Sequence, residues 1–253
     1  MIQEPFAIGG SPLHQTDPRL KIILATAYSF LVAVLQGFPA LLTALVLSIA
    51  LVAIARLDSR ALFRRLGLAN GLILFLWLLL PFTFPGKPLA SIGPFALSLE
   101  GVRFCAQITL KSNAIILALI ALVATSPIAT LGYALHRLHV PAKMVLLLLL
   151  TYRYLFVLEQ EYERLARAMR MRGFRPQTSL HTYRTYAYLV GMLFVRASAR
   201  AERVHQAMLC RGFTGRFRTL KTFTLARRDW IWPFAAGCAM SGLIMLEWTT
   251  GWH

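Results

Sequence analysis

The sequence predicts an all-α polytopic membrane protein with about five transmembrane helices and a separate cytoplasmic module of long amphipathic helices. Three observations predict it. Of 253 residues, 57% are hydrophobic and 15% charged, outside the range of ordinary soluble domains. Apolar runs of roughly bilayer-crossing length recur along the chain. The basic residues behind the net charge of +17 are gathered into a few segments rather than spread evenly.

The first apolar run, Leu20 to Leu35, follows a stretch carrying Asp17 and Arg19 and is a full span rather than a short signal core, so it reads as a retained helix. The second runs from Ala40 to Ala55. Arg56 to Leu68 holds four Arg and reads as a short cytoplasmic loop. The third span, Ala69 to Phe84, begins beside Gly67 and Gly71, a small-xxx-small pair for which intramolecular packing is the expectation and a subunit contact the alternative. Pro81, Pro85, Pro88 and Pro94 then read as a structured turn at the outer edge. A fourth span covers about Ile108 to Ala124 and the last Trp230 to Trp248, with Lys111 and Glu247 near their ends. The expected division is therefore 1–126 with four spans, 127–229 as a cytoplasmic region, and 230–253 with the last span.

Charge sets the orientation. From Pro127 to Asp229 there are 18 Lys and Arg against five acidic residues, whereas the segments Gln36 to Pro39 and Pro85 to Gly101 hold a single Lys. The positive-inside tendency places the N-terminus, the Arg56 to Leu68 loop and all of 127–229 in the cytoplasm, which requires an odd number of spans. A sixth apolar stretch, Met144 to Leu158, is interrupted by Arg153 and runs into Glu159, Glu161, Glu163 and Arg164; counting it as a span would export the basic region. It reads instead as part of a helix that lies along or dips into the membrane. The aromatics near the basic stretch, Tyr183, Tyr186 and Tyr188, suit a membrane-interface helix, and no nucleic-acid role is expected. Cys105, Cys210 and Cys238 have no metal-ligand or redox spacing.

Within 127–229, Ser126-Pro127 is a helix start, and a short helix should reach about His139 and stop before Pro141. A second should run from Ala142 to Arg172, closed by Gly173 and Pro176, and a third from about His181 to Arg211, closed by Gly212. Each of the long pair would measure about 45 Å at the usual rise.

The two long helices end alike. Glu163, Arg164, Ala168, Met169, Arg172, Gly173 and Phe174 recur 39 residues later as Glu202, Arg203, Ala207, Met208, Arg211, Gly212 and Phe213. Arg164, Ala168 and Arg172 share one stripe, as do Arg203, Ala207 and Arg211, the latter extended backwards by Arg200 and Arg196; Leu189, Leu193, Val204 and Met208 offer apolar faces for packing. Capping accounts for a Gly after a helix and for basic residues in its last turn. The expectation is that it leaves Ala168, Ala207, Phe174 and Phe213 for recognition: a small residue lets a partner approach, the Arg fork supplies donors, and Phe anchors, with Met169 and Met208 as supporting apolar contacts.

Paired Ala-x-x-x-Arg-Gly elements closing two long cytoplasmic helices in a basic membrane protein resemble the T component of energy-coupling factor (ECF) transporters. SPLHQTDPRLK (11–21) looks like that family's approach to its first span, and TSPIATLGYALHRLHVP (125–141) like its membrane-to-cytoplasm junction. TYRYLFVLEQEYERLARAMRMRGF and YLVGMLFVRASARAERVHQAMLCRGF are most similar to the CbiQ type, which serves cobalt and nickel importers. The resemblance implies that 127–229 is a coupling module, with Ala168, Arg172, Gly173, Ala207, Arg211 and Gly212 engaging two cytoplasmic ABC ATPase subunits. It implies that ATP and Mg are held by those partners and no cofactor by this chain. It further implies a substrate-capturing, CbiM-like membrane subunit, admits a small accessory membrane subunit, and places the chain in the plasma membrane of a prokaryote. Vitamin-transporting T components carry the same motif pair and remain an alternative.

Catalytic wording is missing. There is no G-x-x-x-x-G-K-[ST] phosphate loop, no H-E-x-x-H and no G-x-S-x-G, so neither ATP hydrolysis nor hydrolase chemistry is expected of this chain. His136 and His139 lie three apart with no carboxylate or Cys nearby and read as helix-end residues rather than metal ligands. Two other classes stay open from the sequence alone. A membrane enzyme would need acidic or His clusters, yet the five acidic residues outside 127–229 are scattered; an electrostatic scaffold for acidic partners would tolerate Lys in place of Arg172 and Arg211.

Overall fold

A computed structural model describes residues 11–83, 88–92, 95–215 and 230–250. The chain divides into two compact units, one holding 11–127 with 230–250 of the described residues and the other 128–215.

The first unit is built on α1 (Pro12–Gln15), α2 (Pro18–Val34), α3 (Phe38–Ala55), α4 (Ser59–Thr83), α5 (Leu99–Leu122) and α9 (Ile231–Thr250). Helix α5 is its axis and packs on α2, α3 and α4, while α9 lies on α2 and α3. Small residues allow this: Ala40 and Ala44 of α3 and Ala114 and Ala118 of α5 are fully buried in one cluster with Tyr28 and Val32. Polar groups inside that cluster satisfy one another. The Tyr28 hydroxyl lies 2.7 Å from both Ala44 O and Ser48 Oγ, and Ser48 Oγ donates to Ala114 O at 2.8 Å, so three helices share one bonded point. On the other side of α5, Asn70 and Asn113 exchange amide hydrogen bonds at 3.1 and 2.9 Å, and Trp77 Nε1 donates to Thr109 Oγ1 at 2.9 Å.

Helices α3, α4, α5 and α9 are long and apolar enough to cross a membrane. Helix α2, at 17 residues, spans about 25 Å and lies at the short end of that range. The expected loop Arg56 to Leu68 is corrected: α4 begins at Ser59, because Asp58 accepts from the Arg60 N–H at 3.2 Å and so starts the helix a full turn and more before the apolar run. Arg60, Arg64 and Arg65 therefore stand on helix, and only Arg56, in the left-handed region at φ 50°, turns the chain. Among the described residues no atom lies within 4 Å of a Cβ added at Gly67 or Gly71, so the expected close packing within the chain is not seen there.

The proline-rich turn is also more regular than the sequence suggested. Pro88–Ile92 (β1) and Phe95–Ser98 (β2) form an antiparallel pair with Ala90 opposite Leu97 and Ile92 opposite Phe95. This hairpin is the one departure from helix among the described elements, and Ser98 then caps α5 by accepting from the Gly101 N–H. Pro85 and Pro94 lie outside the described residues, as do 216–229.

The second unit contains α6 (Ile128–Arg137), α7 (Ala142–Met171) and α8 (Leu180–Cys210). Helix α6 ends two residues before the expected His139, which adopts φ 65° as the Val140 N–H returns to Leu135 O at 3.2 Å. Helix α6 packs closely on α7 because Gly132 has no side chain: an added Cβ would sit 2.7 Å from Leu149 Cδ2. Ser179 opens α8 by accepting from the Thr182 N–H.

Candidate functional site

The repeated motifs close α7 and α8 with the same backbone geometry. Arg172 stands at φ −85°, ψ 13° and Arg211 at φ −90°, ψ 11°, each followed by a glycine in the left-handed region, Gly173 at φ 81° and Gly212 at φ 74°. The Phe174 N–H returns to Met169 O at 3.2 Å and the Gly173 N–H to Arg170 O at 3.0 Å. The second tip repeats the pair, from Phe213 to Met208 O at 3.0 Å and from Gly212 to Leu209 O at 2.9 Å. These are two Schellman caps, a form that carries an apolar residue beyond the glycine and another at the position three from the helix end.

This changes how the motif divides. Met169, Phe174, Met208 and Phe213, expected as apolar anchors for a partner, occupy the apolar positions of the cap and are only partly exposed. Phe174 turns back onto α8, with its ring 5.8 Å from Tyr186 in an edge-on arrangement and 6.3 Å from His181. Capping therefore does have a use for the shared Phe. It has none for the remaining side chains: Ala168, Arg172, Ala207 and Arg211 are all exposed.

The basic stripes are likewise split by a residue that sequence reasoning passed over. Glu161 is buried between α7 and α8, where Arg196 donates to its Oε1 and Arg164 and Arg200 lie 3.4 and 3.9 Å from its Oε2. Arg196 and Arg200, with side chains still 45% and 43% exposed, turn toward this carboxylate. The hydrogen bond from Arg196, helped by the charges of Arg164, Arg196 and Arg200, holds the Glu161 carboxyl below its ordinary range despite the opposing effect of burial. A helical signal could have found it. Leu150, Tyr154, Val157, Leu158 and Glu161 fall on one face of α7, opposite Leu193, Ala197, Val204 and Met208 of α8, while Glu159 and Glu163 fall off that face. Between these faces runs a largely apolar groove of about 530 Å³, with Glu161 and Phe213 among its lining residues.

Among the described residues no group of three His, Cys, Asp or Glu side chains could hold a metal ion. The unit presents two long helices joined at Glu161, each ending in a Schellman cap that displays an alanine and an arginine.

Comparison with known proteins gives the family. Residues 9–222 match the family model described as CbiQ, cobalt transport protein. An energy-coupling factor transporter transmembrane protein EcfT from Thermosediminibacter oceani is 27% identical over 249 residues, covering 94% of each chain. A cobalt transport protein CbiQ from Rhodobacter capsulatus is 32% identical over 136 residues, covering 53% of this chain and 55% of that one. A further EcfT, from Leuconostoc gelidum, is 27% identical with 82% of each chain covered. With the family model covering most of its length, and with a fold of membrane-length helices joined to capped amphipathic rods, the chain belongs to the CbiQ family of ECF transporter T components, which are non-catalytic transmembrane subunits.

Proposed function

We propose that this chain transmits the ATP-driven movement of two cytoplasmic ATPase subunits to a substrate-binding membrane subunit that imports cobalt(II) or nickel(II). T components work with ATPase and substrate-binding membrane partners. The observation that carries the reading for this chain is the pair of matching tips, each with its Arg exposed on a rigid cap and its Ala clearing the approach one turn earlier. Two copies of one shape suit two copies of one partner. Each guanidinium, met by a carboxylate in an ATPase groove, would contribute about 1.5–3 kcal/mol as a charge-assisted hydrogen bond.

The Glu161 crossing supports transmission rather than mere docking. From Glu161 to Arg172 is roughly 16 Å of helix and from Arg196 to Arg211 roughly 22 Å, so a crossing held by ion pairs turns displacement of either tip into rotation of the opposite helix ends. In this reading the N-terminus and residues 127–229 face the cytoplasm of a prokaryotic cell, the ATPases hold ATP and Mg, and the metal is cargo of a CbiM-like subunit, with room for a small accessory subunit. Cobalt is supported by the family description and by the Rhodobacter capsulatus relative. A second reading, a T component shared among vitamin importers, is supported by the near full-length matches to relatives named EcfT.

The test is co-purification with the ATPases, followed by uptake of radiolabelled cobalt(II) in cells expressing the whole transporter. Arg172→Lys with Arg211→Lys should release the ATPases and abolish uptake, because an ammonium cannot reproduce the guanidinium fork. Retention of both at wild-type level would reject the fork-in-groove reading and favour a general electrostatic scaffold.

A further inference from the structure

The start of α2 carries a buried cation that the coupling role described above leaves unused. Lys21, in the first turn of α2, is 1% exposed and is the bulkiest of the fully buried side chains among the described residues. A lysine at the end of a membrane helix ordinarily extends its ammonium outward to water. This one turns inward. A buried ammonium is costly unless its donors are used and an opposite charge is near, and here two hydroxyl acceptors and a carboxylate offset part of that cost. Lys21 Nζ donates to Ser126 Oγ at 2.8 Å and lies 3.4 Å from Thr125 Oγ1, residues more than a hundred positions away in sequence. Thr125 Oγ1 donates into the last turn of α5, with Ala121 O at 3.0 Å and Leu122 O at 3.2 Å. Asp17 supplies the carboxylate that attracts the ammonium, and its Oδ1 also caps α2 by accepting from the Arg19 N–H at 2.9 Å. Asp17, Lys21, Thr125 and Ser126 are all buried.

The place of this cluster in the chain gives it meaning. Thr125 and Ser126 are the residues that leave α5, and the boundary between the two compact units falls immediately afterwards, between Pro127 and Ile128. A connection whose only duty was to join two units would need no buried charge, since an apolar side chain would fill the same space without a desolvation cost. We propose that Lys21 is a positioning residue for energy coupling: it ties the segment leading out of α5 to the first long helix, so that force arriving through α6 is delivered to α2 and α5 together instead of being absorbed by a slack junction. This rests on the coupling role proposed above.

The experiment uses the full transporter, with ATPase and membrane partners, reconstituted in lipid nanodiscs and compared among wild type, Lys21→Met, Ser126→Ala and Thr125→Val. Amide hydrogen exchange across residues 123–129 should accelerate about tenfold in Lys21→Met and severalfold in Ser126→Ala, as expected when a charged hydrogen bond that closes a local opening is removed. ATPase co-purification should be unchanged, while cobalt(II) transported per ATP hydrolysed in proteoliposomes falls several-fold. Exchange and transport yield at wild-type values in Ser126→Ala would overturn the proposal. Should Lys21→Met fail to assemble, the hydroxyl variants, which keep the lysine, decide the matter through the exchange measurement, which needs no substrate. Failure of the wild-type chain to retain ATPases would instead strike the coupling role, while exchange at 123–129 would still show whether the junction is held by Lys21.

Discussion

Replacing Gly173 and Gly212 by alanine separates the two jobs of the repeated motif, the cap and the contact. Each glycine has a positive φ, 81° and 74°, and an added Cβ at either would meet nothing within 4 Å. The cost is therefore conformational, not steric: an L-residue in the left-handed region loses about 1–2 kcal/mol. The two caps close different helices, so the penalties should add, to about 2–4 kcal/mol in the double variant. At each tip, opening of the cap should rise roughly 5- to 30-fold. Amide exchange at the Gly173, Phe174, Gly212 and Phe213 N–H groups reads this directly, because these are the donors that make the caps. Arg172→Ala with Arg211→Ala is the counterpart. The arginine side chains are exposed and the caps are made by backbone groups, so exchange at those four amides should stay within about twofold of wild type while ATPase co-purification is lost. The reasoning is refuted if the arginine variants loosen the caps as much as the glycine variants do, since the guanidinium groups would then be serving the helix end rather than a partner.

Other perturbations test the frame around the tips. Glu161 has its carboxyl held below the ordinary value of 4.5, chiefly by Arg196, so it stabilises the folded state at neutral pH and that contribution is lost as pH falls from about 4.5 through the lower folded value; thermal unfolding against pH in detergent should show this acid limb in wild type and lack it in Glu161→Gln. Gly132→Val forces a branched side chain into Leu149 at the α6–α7 contact and should destabilise by about 1–3 kcal/mol, read as a lower unfolding midpoint with ATPase-free protein. Glu247→Ala removes the acceptor of the Gln36 and Gly37 N–H groups, bonded at 2.8 and 3.0 Å, and should cost about 1–3 kcal/mol. Thermal unfolding in detergent should show the loss as a lower midpoint; an unchanged midpoint would show that α9 does not depend on this anchor.

What was legible in the sequence follows physical range. Hydropathy and helix punctuation act over neighbouring residues, and they placed α2, α3, α7 and α8 to within a few positions. They failed where a local polar group outweighed the apolar run, as at Asp58, which starts α4 inside a segment that reads as a basic loop. They also failed at the hairpin of β1 and β2, where alternation over four or five residues is too short a signal beside four prolines. Contacts distant in sequence were out of reach. Lys21 meeting Ser126, or Glu247 meeting Gly37, links residues more than a hundred positions apart, and nothing local marks either end as buried. Glu161 lies between these cases, because its helical phase marks it as inward while its three arginine partners do not announce themselves.

The 39-residue echo gains most from being seen as geometry. A repeat of seven identities suggests that all seven serve one purpose, yet the backbone assigns Met, Gly and Phe to a Schellman cap and leaves Ala and Arg exposed on it. That division is what a transmitting tip requires. A contact residue on a frayed helix end would let a partner's movement be taken up by unwinding, whereas a capped end with its apolar residues folded back makes the helix move as a rod. The same logic runs inward: the crossing at Glu161 keeps two rods from sliding, and the Lys21 cluster keeps the outgoing stretch of chain from giving way. At the Glu161 crossing and the Lys21 cluster the stiffness is supplied by polar groups held out of water, each of which would be a liability in a protein that only had to fold.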